Sequence, residues 1–108
     1  MLNIFKTIPK NYEDLDGNAF KAKYTNASKA ELLDVRTADE FKGGTIPGSR
    51  NLDIMTGELQ AALGMLDKDK EYFVFCRSGN RSGSACKLMA EQGLKVYNLA
   101  GGVGAWPR

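Results

Sequence analysis

The chain has no histidine among its 108 residues, which removes at once the commonest general base and the commonest zinc ligand. Any chemistry must then rest on cysteine, arginine, carboxylates or the backbone. Cysteine is scarce as well, with only Cys76 and Cys86 present. A small secreted fold ordinarily carries more cross-links, so the expected compartment is a reducing one, the cytoplasm. Within Met1 to Lys10, the charge of Lys6 falls before an apolar stretch of signal-peptide length can form, and no secretory leader is predicted. No run approaches the roughly 20 apolar residues that a membrane span needs. An excess of one charge is missing too, since 15 Lys plus Arg against 13 Asp plus Glu leave a net charge of +2. That is too little to predict a nucleic acid or a membrane as partner. Lys6, Lys10, Lys21, Lys23 and Lys29 alternate with Glu13, Asp14 and Asp16, the pattern of a solvated mixed surface.

What remains is a chain of ordinary globular composition, 43% hydrophobic and 26% charged, without internal repeat, low-complexity tract or long linker. One domain spanning residues 1–108 is predicted, large enough to form a core without disulfides or metals. Short apolar runs alternate with helical patterns, which is α/β order. The expected elements begin with an edge strand at Ile4 to Ile8 and a helix over Asn18 to Tyr24. A strand at Ala30 to Val35 follows, then a short helix opened by the Thr37/Glu40 capping pair and stopped at Gly43 and Gly44. After a turn at Ile46-Pro47-Gly48 come a strand around Arg50 to Ile54 and a helix capped by Thr56, with Leu59, Ala62, Leu63 and Leu66 on one face. Tyr72 to Cys76 is apolar at every position, as a central parallel strand covered on both sides must be. The helical pattern Ser82 to Gln92, ended by Gly93, and a strand at Lys95 to Leu99 complete the order, with Trp106 packing as core or lid.

The chemistry concentrates between the best strand and the best helix, at Cys76-Arg77-Ser78-Gly79-Asn80-Arg81-Ser82. Ligands of parallel α/β sheets bind just beyond the carboxyl ends of the strands, where this cysteine falls. The positive end of the following helix, the cations of Arg77 and Arg81, and a glycine loop with inward N–H groups all favour a thiolate. A free cysteine is commonly a buried small hydrophobe. A strand end with only a structural role has no need of two arginines, a glycine and an asparagine beside it, so Cys76 is read as a catalytic or sulfur-carrying thiolate. Cys86, inside the helical pattern beside Ala85 and near Leu88 and Met89, is read as core. Asp34, Arg36 and Glu40 are read as a structural ion-pair network bracing the site.

Three segments together resemble a single-domain rhodanese-family sulfurtransferase. They are Leu33-Asp34-Val35-Arg36 with Glu40-Phe41, Gly44-Thr45-Ile46-Pro47-Gly48-Ser49 with Asn51-Leu52, and the loop from Cys76 to Arg81. Gly101-Gly102 with Trp106 is similar to the family's closing segment. The resemblance covers nearly the whole chain. It implies a three-layer α/β fold with a central, mostly parallel sheet and helices on both faces. It also implies a Cys76 persulfide cradled by Arg77, Ser78, Gly79, Asn80 and Arg81, with no metal and no cofactor. The implied partners are a small anionic sulfur donor such as thiosulfate and a thiol or cyanide acceptor, the thiol free or carried by a protein. Thr45 stands where the family usually has a histidine, which is not the nucleophile.

Two other enzymes fit the same loop less well. A cysteine phosphatase or arsenate reductase commonly has one more residue between cysteine and arginine than the four here, and a shorter loop encloses a sulfur atom better than a phosphoryl group. A carrier that hands persulfide to one partner without turnover needs the same cradle and is separated only by assay. A redox pair of Cys76 and Cys86 would need Cα atoms within about 7 Å, against the differing faces their positions predict.

Overall fold

The computed structural model describes residues 10–108, so the strand expected at Ile4 to Ile8 lies outside the described residues. The elements in chain order are β1 (Glu13–Leu15), α1 (Gly17–Asn26), β2 (Ala30–Asp34), α2 (Ala38–Lys42), β3 (Arg50–Asn51), α3 (Glu58–Ala62), β4 (Glu71–Phe75), α4 (Asn80–Glu91) and β5 (Lys95–Leu99). The five strands form one sheet in the order β1-β5-β4-β2-β3, and each of the four pairings is parallel. β4 is central, as the apolar run that starts at Tyr72 requires, because a strand covered on both faces has no solvent side for polar residues.

Alternation along the strands sorts the core into two layers. Leu33, Val74, Cys76 and Val96 face α3 and α4, where Leu59, Ala62, Ala85, Cys86 and Met89 meet them. Leu32, Phe73, Phe75, Tyr97 and Leu99 face the other way, onto Phe20 of α1, with Tyr24 and Trp106 packed around them. Phe73 anchors this second layer, stacked on Tyr97 with centroids 4.8 Å apart and edge-on to Phe20 and Tyr24 at 5.5 Å each. A sheet between two helical layers brings the carboxyl ends of β2, β4 and β5 to one edge, and the loops leaving them converge there.

Local chemistry explains most boundaries. Asp16 Oδ1 accepts from the Ala19 amide at 2.9 Å and caps α1. Thr37 and Glu40 form the expected capping box, which starts α2. Two expectations are corrected. Arg50 to Ile54 pairs as a strand only over Arg50–Asn51, because beyond them Asp53 turns inward and bonds the Met55 amide at 2.7 Å. Thr56 does not cap α3, whose N-cap is Gly57 with no side-chain cap bond, while the Thr56 hydroxyl donates to the Asp53 carbonyl. The stripe Leu59, Ala62 and Leu66 is nonetheless buried. α4 begins at Asn80, two residues earlier than the apolar periodicity predicts, because its first turn faces the site rather than the core.

Candidate active site

Cys76 follows the last residue of β4, and three residues later the chain turns into α4. The turn depends on Gly79, which has φ +98°, and a Cβ there would lie 2.1 Å from the Ala100 carbonyl oxygen. No L side chain fits that place. With the loop folded in this way, the Cys76 sulfur accepts from the Gly79 amide at 3.1 Å, the Ser82 amide at 3.3 Å and the Ser82 hydroxyl at 3.3 Å. Burial pushes the Cys76 thiol up, but the Ser82 hydroxyl and the amides of Ser82, Gly79 and Ser78 outweigh it and leave the thiol below its ordinary value. Cys86, buried in the apolar layer with no such donors, is driven far up by burial. The two cysteines therefore differ in chemistry although both are buried and free.

The closing segment holds the loop from behind. The Val103 amide donates to the Cys76 carbonyl at 2.8 Å. Gly102, at φ +77°, lies so close beneath the loop that a Cβ would meet the Arg77 carbonyl oxygen at 1.9 Å. Asn98 of β5 donates from Nδ2 to the Gly79 carbonyl at 3.2 Å.

The expected cradle residues divide by role. Arg77, Ser78 and Asn80 are exposed at the mouth, and Arg77 enters no ion pair among the described residues. Arg81 is engaged elsewhere, since Nη1 and Nη2 donate to the two Glu40 carboxylate oxygens at 2.7 and 3.0 Å. Its direct partner is thus Glu40, while its charge still acts on Cys76. The sulfur is served directly by amides and a hydroxyl, while Arg81 ties the loop to α2. The bidentate arginine also holds the Glu40 carboxyl down at about 2, against the opposing effect of burial and with help from the Thr37 amide.

Asp34, Arg36 and Glu40 are likewise not one network. Asp34 is fully buried and accepts from the Arg36 amide, from Arg36 Nε and Nη2, and from the Thr45 hydroxyl at 2.9 Å. Arg36 Nη2 continues to the Gly44 carbonyl at 2.7 Å, and Asn51 Nδ2 bonds the carbonyls of Asp34 and Arg36. This cluster pins the Gly44-Thr45 loop to the end of β2, whereas Glu40 belongs to the loop at β4. Ser82 closes the segment that the sequence singles out, and the structure gives it a role as a double donor to the sulfur. Sequence reasoning missed Asn98, which carried no signal because only the sheet brings it under Gly79.

A parallel α/β sheet with a thiol met by inward amides at a strand's carboxyl end, where ligands of such sheets bind, defines the class of cysteine-loop α/β proteins. The model of the rhodanese-like domain matches residues 16–108. YtwF of Bacillus subtilis is 39% identical over 94 residues, covering 87% of this chain and 89% of its own length. The thiosulfate sulfurtransferase GlpE of Shewanella oneidensis is 35% identical over 83 residues, 76% of this chain and 80% of its own. The crystal structure of a rhodanese-related protein from Thermoplasma volcanium superposes with a TM-score of 0.77 at 30% identity, covering 88% of this chain and 90% of that one. The chain belongs to the rhodanese family, and at the level of that family its activity is that of a sulfurtransferase.

Proposed function

We propose that the protein moves sulfane sulfur from a small anionic donor of the thiosulfate type, through a persulfide on Cys76, to a thiol or cyanide acceptor. The observation that carries the reading is the triple donor set on the Cys76 sulfur, from Gly79 N–H, Ser82 N–H and Ser82 O–H. The thiolate attacks the outer sulfur of thiosulfate. A new S–S bond forms to Cys76, the bond to the sulfonyl sulfur breaks, and its electron pair leaves with sulfite. An acceptor thiolate or cyanide then attacks the outer sulfur of the persulfide, and the Cys76 thiolate is regenerated. Charge is conserved in both steps and no proton need be transferred, so a protein without histidine is equipped for them.

The same three donors that lower the thiol stabilise the Cys76 thiolate, both as it attacks and as it is regenerated when the sulfur leaves, as oxyanion donors do in acyl transfer. Arg77, exposed and outside any described ion pair, is the cation free to receive the donor's sulfonate. The S. oneidensis relative is by name a thiosulfate sulfurtransferase, which favours that donor over a phosphoryl substrate. So does the loop, with four residues between Cys76 and Arg81.

The test is intact-mass measurement after thiosulfate treatment. The wild type should gain one sulfur atom, lost on adding a thiol or cyanide, and Cys76→Ser should gain none and turn over no sulfur. A Cys76→Ser protein with full sulfur transfer, or a wild type that hydrolyses aryl phosphate and acquires no sulfur, overturns the reading.

A further inference from the structure

Gly79 supplies one of the three hydrogen bonds to the Cys76 sulfur, yet glycine is the residue least able to fix its own backbone. Something outside the loop must hold it at φ +98°. Steric contact with Ala100 limits what can replace it but does not aim its amide. Its carbonyl is held twice, by the Gly83 amide at 2.9 Å within α4 and by Asn98 Nδ2 at 3.2 Å from the sheet. The second bond is the one that ties the turn to the rigid β5.

Asn98 itself is unusual. It is 3% exposed, sits level with Val74 of β4 and Asp14 of β1 in the parallel register, and faces the α4 layer together with Val96. Both hydrogens of its amide are used, one on Gly79 and one on Asp14 Oδ1 at 2.9 Å. Its carbonyl Oδ1 is buried with no hydrogen-bond partner among the described residues. An unpaired buried acceptor is unfavourable, and an apolar side chain would remove it. What the amide adds is its pair of donors, and they point at the loop and at a carboxylate whose other partner is Lys10. Lys10, Asp14, Asn98, Gly79 and Cys76 thus form one continuous chain from the surface to the sulfur.

We propose that Asn98 is a positioning residue for the thiolate cradle, holding the Gly79 turn through its Nδ2 so that the Gly79 amide stays aimed at the Cys76 sulfur. The proposal rests on Cys76 being the reactive group and deepens that reading. It acts through geometry, so its effect is on the fraction of thiolate and not on the identity of the donor. The charged and titratable groups around Cys76 are Arg81 and Cys86 on α4, Asp14 beside Asn98, and Asp53 and Glu40 acting on Arg81. None of them is changed in the variants below.

The experiment is the pH profile of Cys76 alkylation by iodoacetamide, read by peptide mass, in the full chain carrying Asn98→Leu or Asn98→Ala, with thermal unfolding measured on each. Leu fills the space and Ala leaves a cavity, so a packing role predicts different behaviour of the two. A positioning role predicts the same rise in both, about 0.5 to 1 pH unit at the midpoint, as the bond from Gly79 loosens. At neutral pH that is a roughly three- to tenfold slower alkylation. A midpoint unmoved in both, or one that follows the loss of thermal stability, overturns the proposal. So does failure of both variants to fold, which would make Asn98 a determinant of folding instead. Alkylation reads the thiolate without any sulfur donor, so failure to take sulfur from thiosulfate would strike the proposed activity and leave this inference standing.

Discussion

At the scale of single residues, the protein separates two buried cysteines by what surrounds their sulfur atoms. Cys76 has three donors within 3.3 Å, and Cys86 has a wall of apolar side chains. Reactivity is expected to follow donors and not exposure, since both side chains are fully buried in the resting fold. Ser82 is the informative position. Its hydroxyl is the only side-chain donor to the Cys76 sulfur among the described residues, and a hydrogen bond to the charged form lowers a thiol's pKa. Ser82→Ala should raise the alkylation midpoint of Cys76 by about one pH unit, equivalent to about 1.4 kcal/mol of lost thiolate stabilisation. Persulfide formation at neutral pH should slow by a similar factor. Stopped-flow alkylation across pH 5 to 9 is the measurement, and an unchanged midpoint would leave the backbone amides as the sole source of the effect.

At the scale of elements, the loop between β4 and α4 is held by three neighbours: β5 through Asn98, the closing segment through Val103, and α2 through the Glu40–Arg81 pair. The last of these is pH-dependent, with a definite sign. Arg81 holds the Glu40 carboxyl at about 2 against the 4.5 of a free glutamate. The lowered group stabilises the fold above about pH 4.5, and that contribution fades as the pH falls toward 2. Glu40 is 25% exposed, so solvent screening keeps the contribution near about 1 kcal/mol. Glu40→Gln should therefore be less stable than the wild type at pH 6, and the gap should close between pH 4.5 and 2. Urea unfolding at several pH values gives the comparison, and a gap that stays constant over this window would show that the pair contributes no charge-dependent stability.

At the scale of the whole molecule, the two apolar layers clamp the sheet whose edge carries the site. Phe73 is the centre of one layer, fully buried and in ring contact with Phe20, Tyr24 and Tyr97. Phe73→Ala should cost about 3 to 5 kcal/mol, the usual range for a large ring removed from a core. That is a large part of the 5 to 15 kcal/mol typical of a domain. The urea midpoint should fall with the slope unchanged. Because Phe73 lies on the face opposite Cys76, the protein that remains folded should keep its thiol midpoint. A shifted midpoint in folded Phe73→Ala would mean that the two layers are coupled through the sheet.

Much of this was legible in the chain alone, for reasons that are local. The unbroken apolar run at β4 could only be a covered central strand. The Thr37/Glu40 spacing could only cap a helix reciprocally, and a cysteine at the end of such a strand, followed by arginines and glycine, pointed to a sulfur nucleophile. Local reasoning failed where partners are distant in sequence. The direct partner of Arg81, Glu40, lies 41 residues away and comes within 2.7 Å. Asp34, Arg36 and Glu40 looked like one cluster and are two. The sequence by itself determined the order of elements, the covered strand and the neighbours of Cys76 along the chain, because these depend on period, propensity and nearest neighbours. Only the tertiary structure decided which donors reach the sulfur, which arginine stays free and why Asn98 lies under the loop. Those depend on the parallel register that sets β5 beside β4 and on backbone approaches too close for any Cβ, neither of which a linear pattern records.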